Sequence, residues 1–470
     1  MTAPDAPFML SVSGARGIVG ASMTPVVASK FASAFGSHLC AARRSSDARR
    51  PKLALGRDGR AGGEAFAHSV KGALTAVGCD VVDFGVVMTP TIGVMIRELN
   101  LDGGMVVTAS HNPLEWNGLK CLNEDGLAPA KAEADAIIAR FRSEQFLFVD
   151  AERIGVATTR SDAHEMHVAK VLSLLSPKSV QAIAARKFRV VLDSVNASGC
   201  VPGRMLLERL GCELSHLNGE ATGIFAHRPE PVEENLGQLC AAVASTRGTA
   251  VGFAQDPDAD RVAIVDERGR FIGEEYTLVL CACAMLARSG PTTMAANLST
   301  SRMIDDVAAR YPGTSVLRTP VGEAHVVSAL KPAGGRIGGE GNGGVIVPEV
   351  CFVRDSLSSM ALVLDLLASH HPQSLAQLVE SMPRYTMLKT KLDLAAIGGN
   401  AAVPAALSKV KHAFAKERIN DADGVRIDFD DGWVHLRASN TEPIVRVIAE
   451  AATAERAQAL VQQCRAAAGL

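Results

Sequence analysis

Short runs of apolar and β-branched residues alternate with helical periodicity along most of the chain. Lys52-Leu53-Ala54-Leu55-Gly56 reads as a buried strand. Phe66, Val70, Ala73, Leu74 and Val77 then fall on one face of a helix that Gly78 ends. A strand over 80–87, a helix over 91–99 and a strand over 104–108 follow. The pattern returns at Phe188-Arg189-Val190-Val191-Leu192-Asp193, where a later helix carries Leu236, Leu239, Cys240 and Val243 at i, i+3, i+4 and i+7. It returns again between Glu275 and Ser369. Alternating strand and helix predict parallel α/β layers, three of them in series. The C-terminal part differs. Strand-like runs over 424–429, 432–437 and 444–451 are split by the polar turns Asp430-Asp431-Gly432 and Ser439-Asn440-Thr441, and a helix over 454–467 closes the chain. This predicts an α+β module, set off by the segment 372–383.

Length and composition narrow the class. The chain has 470 residues, which at about 150 residues per domain suggests three or four domains. Lys plus Arg number 48 against 50 Asp plus Glu, a net charge of −2, and aromatic residues are 4%. Neither a basic footprint nor a stacking platform for nucleic acid is present. Hydrophobic residues at 47% and charged residues at 21% exclude large-scale disorder. The ten cysteines contain no C-x-x-C pair and sit mostly in apolar runs, where a thiol behaves as a small hydrophobe. Met1-Thr2-Ala3-Pro4-Asp5 does not read as a secretory leader, and the longest apolar run, 277–287, is too short to span a bilayer. The expectation is a soluble cytoplasmic protein with reduced thiols.

Four segments carry chemistry. Thr108-Ala109-Ser110-His111-Asn112-Pro113 follows an apolar strand directly, placing Ser110 where α/β enzymes keep reactive groups; a plain Ser/Asn turn is the alternative. Asn117-Gly118-Leu119-Lys120 offers a turn and a lysine suited to proton transfer. Asp256-Pro257-Asp258-Ala259-Asp260-Arg261 sets three carboxylates at alternate positions, a density that suits Mg²⁺ or Ca²⁺. An EF-hand would need Gly where Arg261 stands, and helical flanks; a solvated acidic turn is the other alternative. Gly338-Gly339-Glu340-Gly341-Asn342-Gly343-Gly344 lets backbone approach a ligand, with Glu340 and Asn342 able to accept from sugar hydroxyls, unless it is a plain surface loop. Arg437-Ala438-Ser439-Asn440-Thr441-Glu442-Pro443, with Arg446, makes a plausible phosphate cradle or an ordinary hairpin turn. Arg16 and the Gly56-Arg57-Asp58-Gly59-Arg60 turn add cations flanked by glycine.

In this order the segments resemble the α-D-phosphohexomutase superfamily over nearly the whole chain. The resemblance implies three tandem α/β domains followed by a smaller α+β C-terminal domain around a central cleft, with limits at 1–165, 166–272, 273–383 and 384–470. It places Ser110 at the phosphorylated position. It assigns Mg²⁺, one per chain, to Asp256, Asp258, Asp260 and the Ser110 phosphoryl group. Catalytic roles fall to Ser110, His111, Lys120, Arg261 and Arg16, and Arg57 matches a further basic position. Substrate binding falls to Glu340, Asn342, Arg437, Ser439, Asn440, Thr441 and Arg446. The sugar loop has Asn342 where the family usually has Ser, and Gly344 where it often has His. The implied reaction interconverts hexose 6-phosphate and hexose 1-phosphate through a phosphoserine enzyme and a hexose 1,6-bisphosphate, which also serves as activator. Glucosamine phosphate leads as substrate, with a broad phosphoglucomutase/phosphomannomutase as the alternative and a phosphatase or sensor behind. The implied partners are small hexose phosphates, with no nucleic acid or membrane, for a monomer or homodimer.

Overall fold

A computed structural model describes residues 6–43, 49–394, 399–439 and 444–470. The chain divides into two compact units, one of Met1–Ala284 with Asn342–Leu378 and one of Met285–Gly341 with Val379–Leu470.

The first unit holds two sheets. The larger has seven strands in the order Phe8–Ser11, Gly14–Ile18, Trp116–Leu122, Gly103–Val107, Lys52–Arg57, Asp80–Val86, Ala157–Thr159. Its middle strands run parallel, joined through the helices Gly63–Ala76 and Thr89–Glu98. Leu53, Leu55, Val81, Met105 and Val107 are buried in one core with Phe31, Phe35, Phe66, Val70 and Leu74. Burying each such side chain contributes roughly 1.5–3 kcal/mol, enough to override local preference.

Two expectations need correction here. The sheet is mixed, because Trp116–Leu122 runs antiparallel to both Gly103–Val107 and Gly14–Ile18. Asn117 to Lys120 is therefore strand, not turn. Gly118 serves close strand approach, since a Cβ there would sit 2.4 Å from the Ala15 carbonyl oxygen.

The second sheet orders Val262–Asp266, Thr249–Gln255, Arg189–Asp193 and Glu213–Leu217. Its last three strands are parallel, and Val262–Asp266 returns antiparallel beside Thr249–Gln255. The helix Ser356–Ser369 also belongs to this unit; Asp355 caps it by accepting from the Leu357 and Ser358 amides.

In the second unit, Ser315–Thr319, Thr293–Asn297 and Ile337–Glu340 lie side by side in parallel. A separate antiparallel sheet runs Thr386–Asp393, Ile444–Ala451, Gly432–Ala438, Val425–Phe429, Arg418–Asn420. Val425, Val434, Val447, Val410 and Leu460 form its core with the helices Val403–Ala413 and Ala454–Ala468. The α+β expectation holds, with two more strands than the pattern predicts. Among the described residues no helix is long and apolar enough to cross a membrane.

Candidate active site

The strand Gly103–Val107 is buried throughout, and the chain leaves it in a tight turn that puts Ser110 at φ 51°. That left-handed backbone is held by a fully buried ion pair. Thr108 Oγ1 donates to Asp58 Oδ2 at 2.6 Å and Arg60 Nε donates to the same oxygen at 2.9 Å. Arg60 Nη2 then donates to the Ser110 carbonyl at 2.6 Å and Nη1 to the Trp116 carbonyl at 2.6 Å. Arg60 thus braces the loop, whereas Arg57 turns toward Glu64 at 3.7 Å. The sequence signal for this brace is slight: an Asp and an Arg separated by Gly59, whose φ of 86° suits glycine.

His111 Nδ1 lies 3.4 Å from Ser110 Oγ. Partial burial, then the Arg261 and Arg16 cations, hold its imidazole well below the ordinary value, so the ring is neutral at pH 7. Arg16 Nη1 donates to Asn112 Oδ1 at 3.2 Å.

The three aspartates follow the strand Thr249–Gln255 at its C-terminal end. Asp256, Asp258 and Asp260 are at most 1% exposed, which excludes a solvated turn. The flanking elements are paired strands, which excludes an EF-hand. Their oxygens lie within 4.8 Å of one another. Among the described residues Asp258 Oδ1 and Asp260 Oδ1 have no hydrogen-bond partner, a costly state for buried carboxylates and one that a hard divalent cation would relieve. The donor set therefore fits Mg²⁺. Three elements clamp this loop: Thr89 Oγ1 donates to Asp258 Oδ2 at 2.6 Å, Ser198 Oγ to the Pro257 carbonyl at 2.7 Å, and Ser356 Oγ to the Ala259 carbonyl at 2.7 Å. Ser110 Oγ donates to Asp256 Oδ2 at 3.3 Å, which brings the serine hydroxyl to the acidic cluster.

Cations line the same cluster. Lys120 Nζ lies 2.5 Å from Asp258 Oδ2 and 3.1 Å from Asp260 Oδ2. Burial works to lower its pKa, but Asp258 and Asp260 raise it further than burial lowers it, so Lys120 is an ammonium. Arg261 Nε donates to Asp256 Oδ2 at 3.2 Å, and its Nη2 has no hydrogen-bond partner among the described residues. Burial, then Asp260, pushes the Asp256 carboxyl up to about 7, with Arg261 opposing. Asp260 is buried too, yet Arg354, Lys120 and Arg261 hold it well below the carboxylate range.

Arg354 is absent from the sequence reading. Its Nη2 donates to Asp260 Oδ2 at 2.7 Å. A Cβ on Gly344 would sit 2.2 Å from Arg354 Cδ, so the glycine at that position makes room for this arginine.

In the second unit, Glu340 ends the strand Ile337–Glu340 and is 5% exposed. Its Oε1 accepts from Asn297 Nδ2 at 2.9 Å and from the Gly322 amide at 3.0 Å. Asn342 falls in the first unit, and its Oδ1 accepts from the Gly344 amide at 3.2 Å. Arg437 and Arg446 are in register on neighbouring strands. Arg437 Nε donates to Asp423 Oδ2 at 2.9 Å, while its buried Nη2 has no hydrogen-bond partner among the described residues. Ser439 donates its amide to the Ile444 carbonyl at 2.9 Å. Asn440 and Thr441, expected to complete the cradle, lie outside the described residues, as do Met1 to Asp5.

The chain matches four domain families in order: phosphoglucomutase/phosphomannomutase alpha/beta/alpha domain I over 9–148, domain II over 165–269, domain III over 274–385, and the C-terminal domain over 393–467. It is 37% identical over 449 residues to a phosphoglucomutase/phosphomannomutase of Thermococcus kodakarensis, covering 95% of each chain. It is 35% identical to a probable phosphoglucosamine mutase of Methanopyrus kandleri, again over 95% of each chain. A crystal structure of a phosphoglucomutase/phosphomannomutase family protein from Burkholderia thailandensis superposes with a TM-score of 0.84, at 25% identity over 98% of both chains.

Proposed function

Because the chain belongs to the phosphoglucomutase/phosphomannomutase family, we propose that this phosphomutase interconverts hexose 6-phosphates and hexose 1-phosphates, with glucosamine phosphate as the leading substrate. A broad specificity for glucose and mannose phosphates is the second reading, favoured by the name of the Thermococcus kodakarensis relative. The domain limits are taken at 165/166, 272/273 and 383/384, and the enzyme is taken to act in the cytoplasm as a monomer or homodimer, with a hexose 1,6-bisphosphate as activator.

One observation carries the reading: the Ser110 hydroxyl rests against a buried aspartate triplet that has unsatisfied oxygens. Ser110, held as phosphoserine, gives its phosphoryl group to a sugar hydroxyl, and the P–O bond to serine breaks. The resulting bisphosphate turns over, and Ser110 Oγ takes the other phosphoryl group. Mg²⁺ held by Asp256, Asp258, Asp260 and the Ser110 phosphoryl would neutralise charge on the group in transfer. Lys120 starts as an ammonium, so it can give a proton to the departing serine oxygen and recover one from the sugar hydroxyl that attacks phosphorus. Neutral His111 stands within reach of the same atom. Arg16 and Arg261 counter the charge of the phosphoryl group. Glu340 and Asn342 read hydroxyls, and Arg437, Arg446 and the turn of Ser439, Asn440 and Thr441 hold the phosphate that stays in place. Positioning and charge stabilisation then carry most of the barrier lowering.

Intact-mass analysis tests the reading. The purified protein is expected to show a partial phosphate adduct that vanishes in Ser110→Ala, and a coupled assay on glucosamine, glucose and mannose phosphates is expected to rank the substrates. An adduct that persists in Ser110→Ala would overturn the mechanism.

A further inference from the structure

Asp423 lies just before the strand Val425–Phe429, and one of its oxygens serves two donors. Oδ2 accepts from Arg437 Nε at 2.9 Å and from the Val321 amide at 3.0 Å. The very next amide, that of Gly322, donates to Glu340 Oε1 at 3.0 Å. Two successive N–H groups of one turn therefore grip two carboxylates, one behind the arginine and one on the hydroxyl reader. The turn itself is fixed, because Gly322 has φ 129°, a conformation that side-chain-bearing residues rarely adopt. Asp423 is held from behind as well. His435 Nε2 donates to the Asp423 carbonyl at 2.6 Å, and its Nδ1 accepts from Ser299 Oγ at 3.0 Å. All of these residues belong to the second unit.

A guanidinium engaged through Nε has its direction set and presents its outer edge to a ligand. Arg437 fits this description, with its Nη2 buried and unpartnered among the described residues. We propose that Asp423 is a positioning residue that aims Arg437 at the bound phosphate and, through the Val321 and Gly322 amides, couples that grip to Glu340. The proposal rests on the reading of the protein as a hexose-phosphate mutase with Arg437 on phosphate. The coupling sets the distance between the phosphate held and the hydroxyls read. A sugar bisphosphate that must bind in two orientations needs that distance fixed, since each orientation is measured against it.

Three variants of the full chain test this: Asp423→Asn, Asp423→Ala and Arg437→Ala. Each is measured for KM and kcat on the three hexose phosphates, for competitive inhibition by inorganic phosphate, and for thermal unfolding. Asn keeps an acceptor for the Val321 amide and loses only the ion pair. It is expected to raise KM and the phosphate inhibition constant about tenfold, a typical loss for one charge-assisted hydrogen bond, with the ranking of sugars unchanged. Ala loses both links and is expected also to compress the discrimination between sugars. A fold defect alone would leave KM and phosphate inhibition of the remaining enzyme as in the wild type. Asp423→Asn with unchanged KM and phosphate inhibition, beside an Arg437→Ala enzyme that has lost both, overturns the proposal while sparing the underlying reading. Asp423→Ala with discrimination intact overturns the link to Glu340. Arg437→Ala with wild-type KM overturns the reading and the proposal together. The isosteric Asp423→Asn keeps the test decisive if Asp423→Ala does not fold.

Discussion

Arg437 and Arg446 stand directly opposite one another on antiparallel strands, and Lys391 stands opposite Arg446 on the strand beyond. Like charges in this relationship destabilise a sheet unless anions offset them, as Asp423 does for Arg437 at 2.9 Å. Arg437→Ala is expected to raise KM for hexose phosphates about tenfold or more, with a smaller fall in kcat, because a phosphate contact persists from ground state to transition state. Lys120→Ala is expected to act chiefly on kcat. Steady-state kinetics of the pair decide it; KM untouched in the first and strongly raised in the second would reverse the two assignments.

A cation entering the aspartate cluster must displace the proton that Asp256 holds up to about pH 7. The carboxyl is protonated below that value and free above it. Affinity for Mg²⁺ is therefore expected to tighten about tenfold per pH unit as pH rises toward 7, then level off. Titration calorimetry in buffers of different ionisation enthalpy should register close to one proton released per ion at about pH 6 and almost none at about pH 8. Asp256→Asn should bind weakly and without this slope.

Gly344→Ala is expected to reproduce Arg354→Met. The added methyl would clash with Arg354 Cδ at 2.2 Å and push the guanidinium off Asp260. Both variants should lose kcat/KM by about tenfold, one charge-assisted contact's worth, and the double variant should be no worse than either. Additive losses would show that the glycine and the arginine act separately.

His435 is buried, and burial before any other cause lowers its imidazole to about 4. The unfolded chain takes up this proton below about pH 6.5, whereas the folded chain does so only near 4. Folding stability is therefore expected to fall as pH drops through that window, by up to about 3 kcal/mol from this residue, and to gain nothing further from it above about 6.5. His216, lowered to about 4 chiefly by burial, adds in the same direction. Denaturant midpoints across the window check the trend, and His435→Gln should flatten it.

Most of the architecture was legible because its elements obey simple periods. Lys52–Arg57, Asp80–Val86 and Ile444–Ala451 fall within a residue of the runs that predict them. The error at Asn117 to Lys120 has a physical cause: Asn-Gly is the usual turn signal, but here Gly118 is needed for strands to approach. Thr386–Asp393 was missed because its residues alternate only between half-buried and exposed. The aspartate triplet is close in sequence and could be read directly. Arg60 and Arg354 could not, since each acts on a residue far along the chain, Ser110 and Asp260; Asp423 acts across the strand pair on Arg437, 14 residues on. A single sequence carries at most a slight mark of such pairings, as in Asp58-Gly59-Arg60.

The left-handed backbone at Ser110, φ 51°, restricts what could ever replace it. Glycine and asparagine tolerate that geometry best, but neither carries a hydroxyl. Threonine carries one, yet its branched Cβ is poorly accommodated there. Serine is the residue that satisfies both the backbone and the chemistry, so drift from serine to threonine, the mildest exchange on most protein surfaces, is closed at this site by conformation before reactivity is tested.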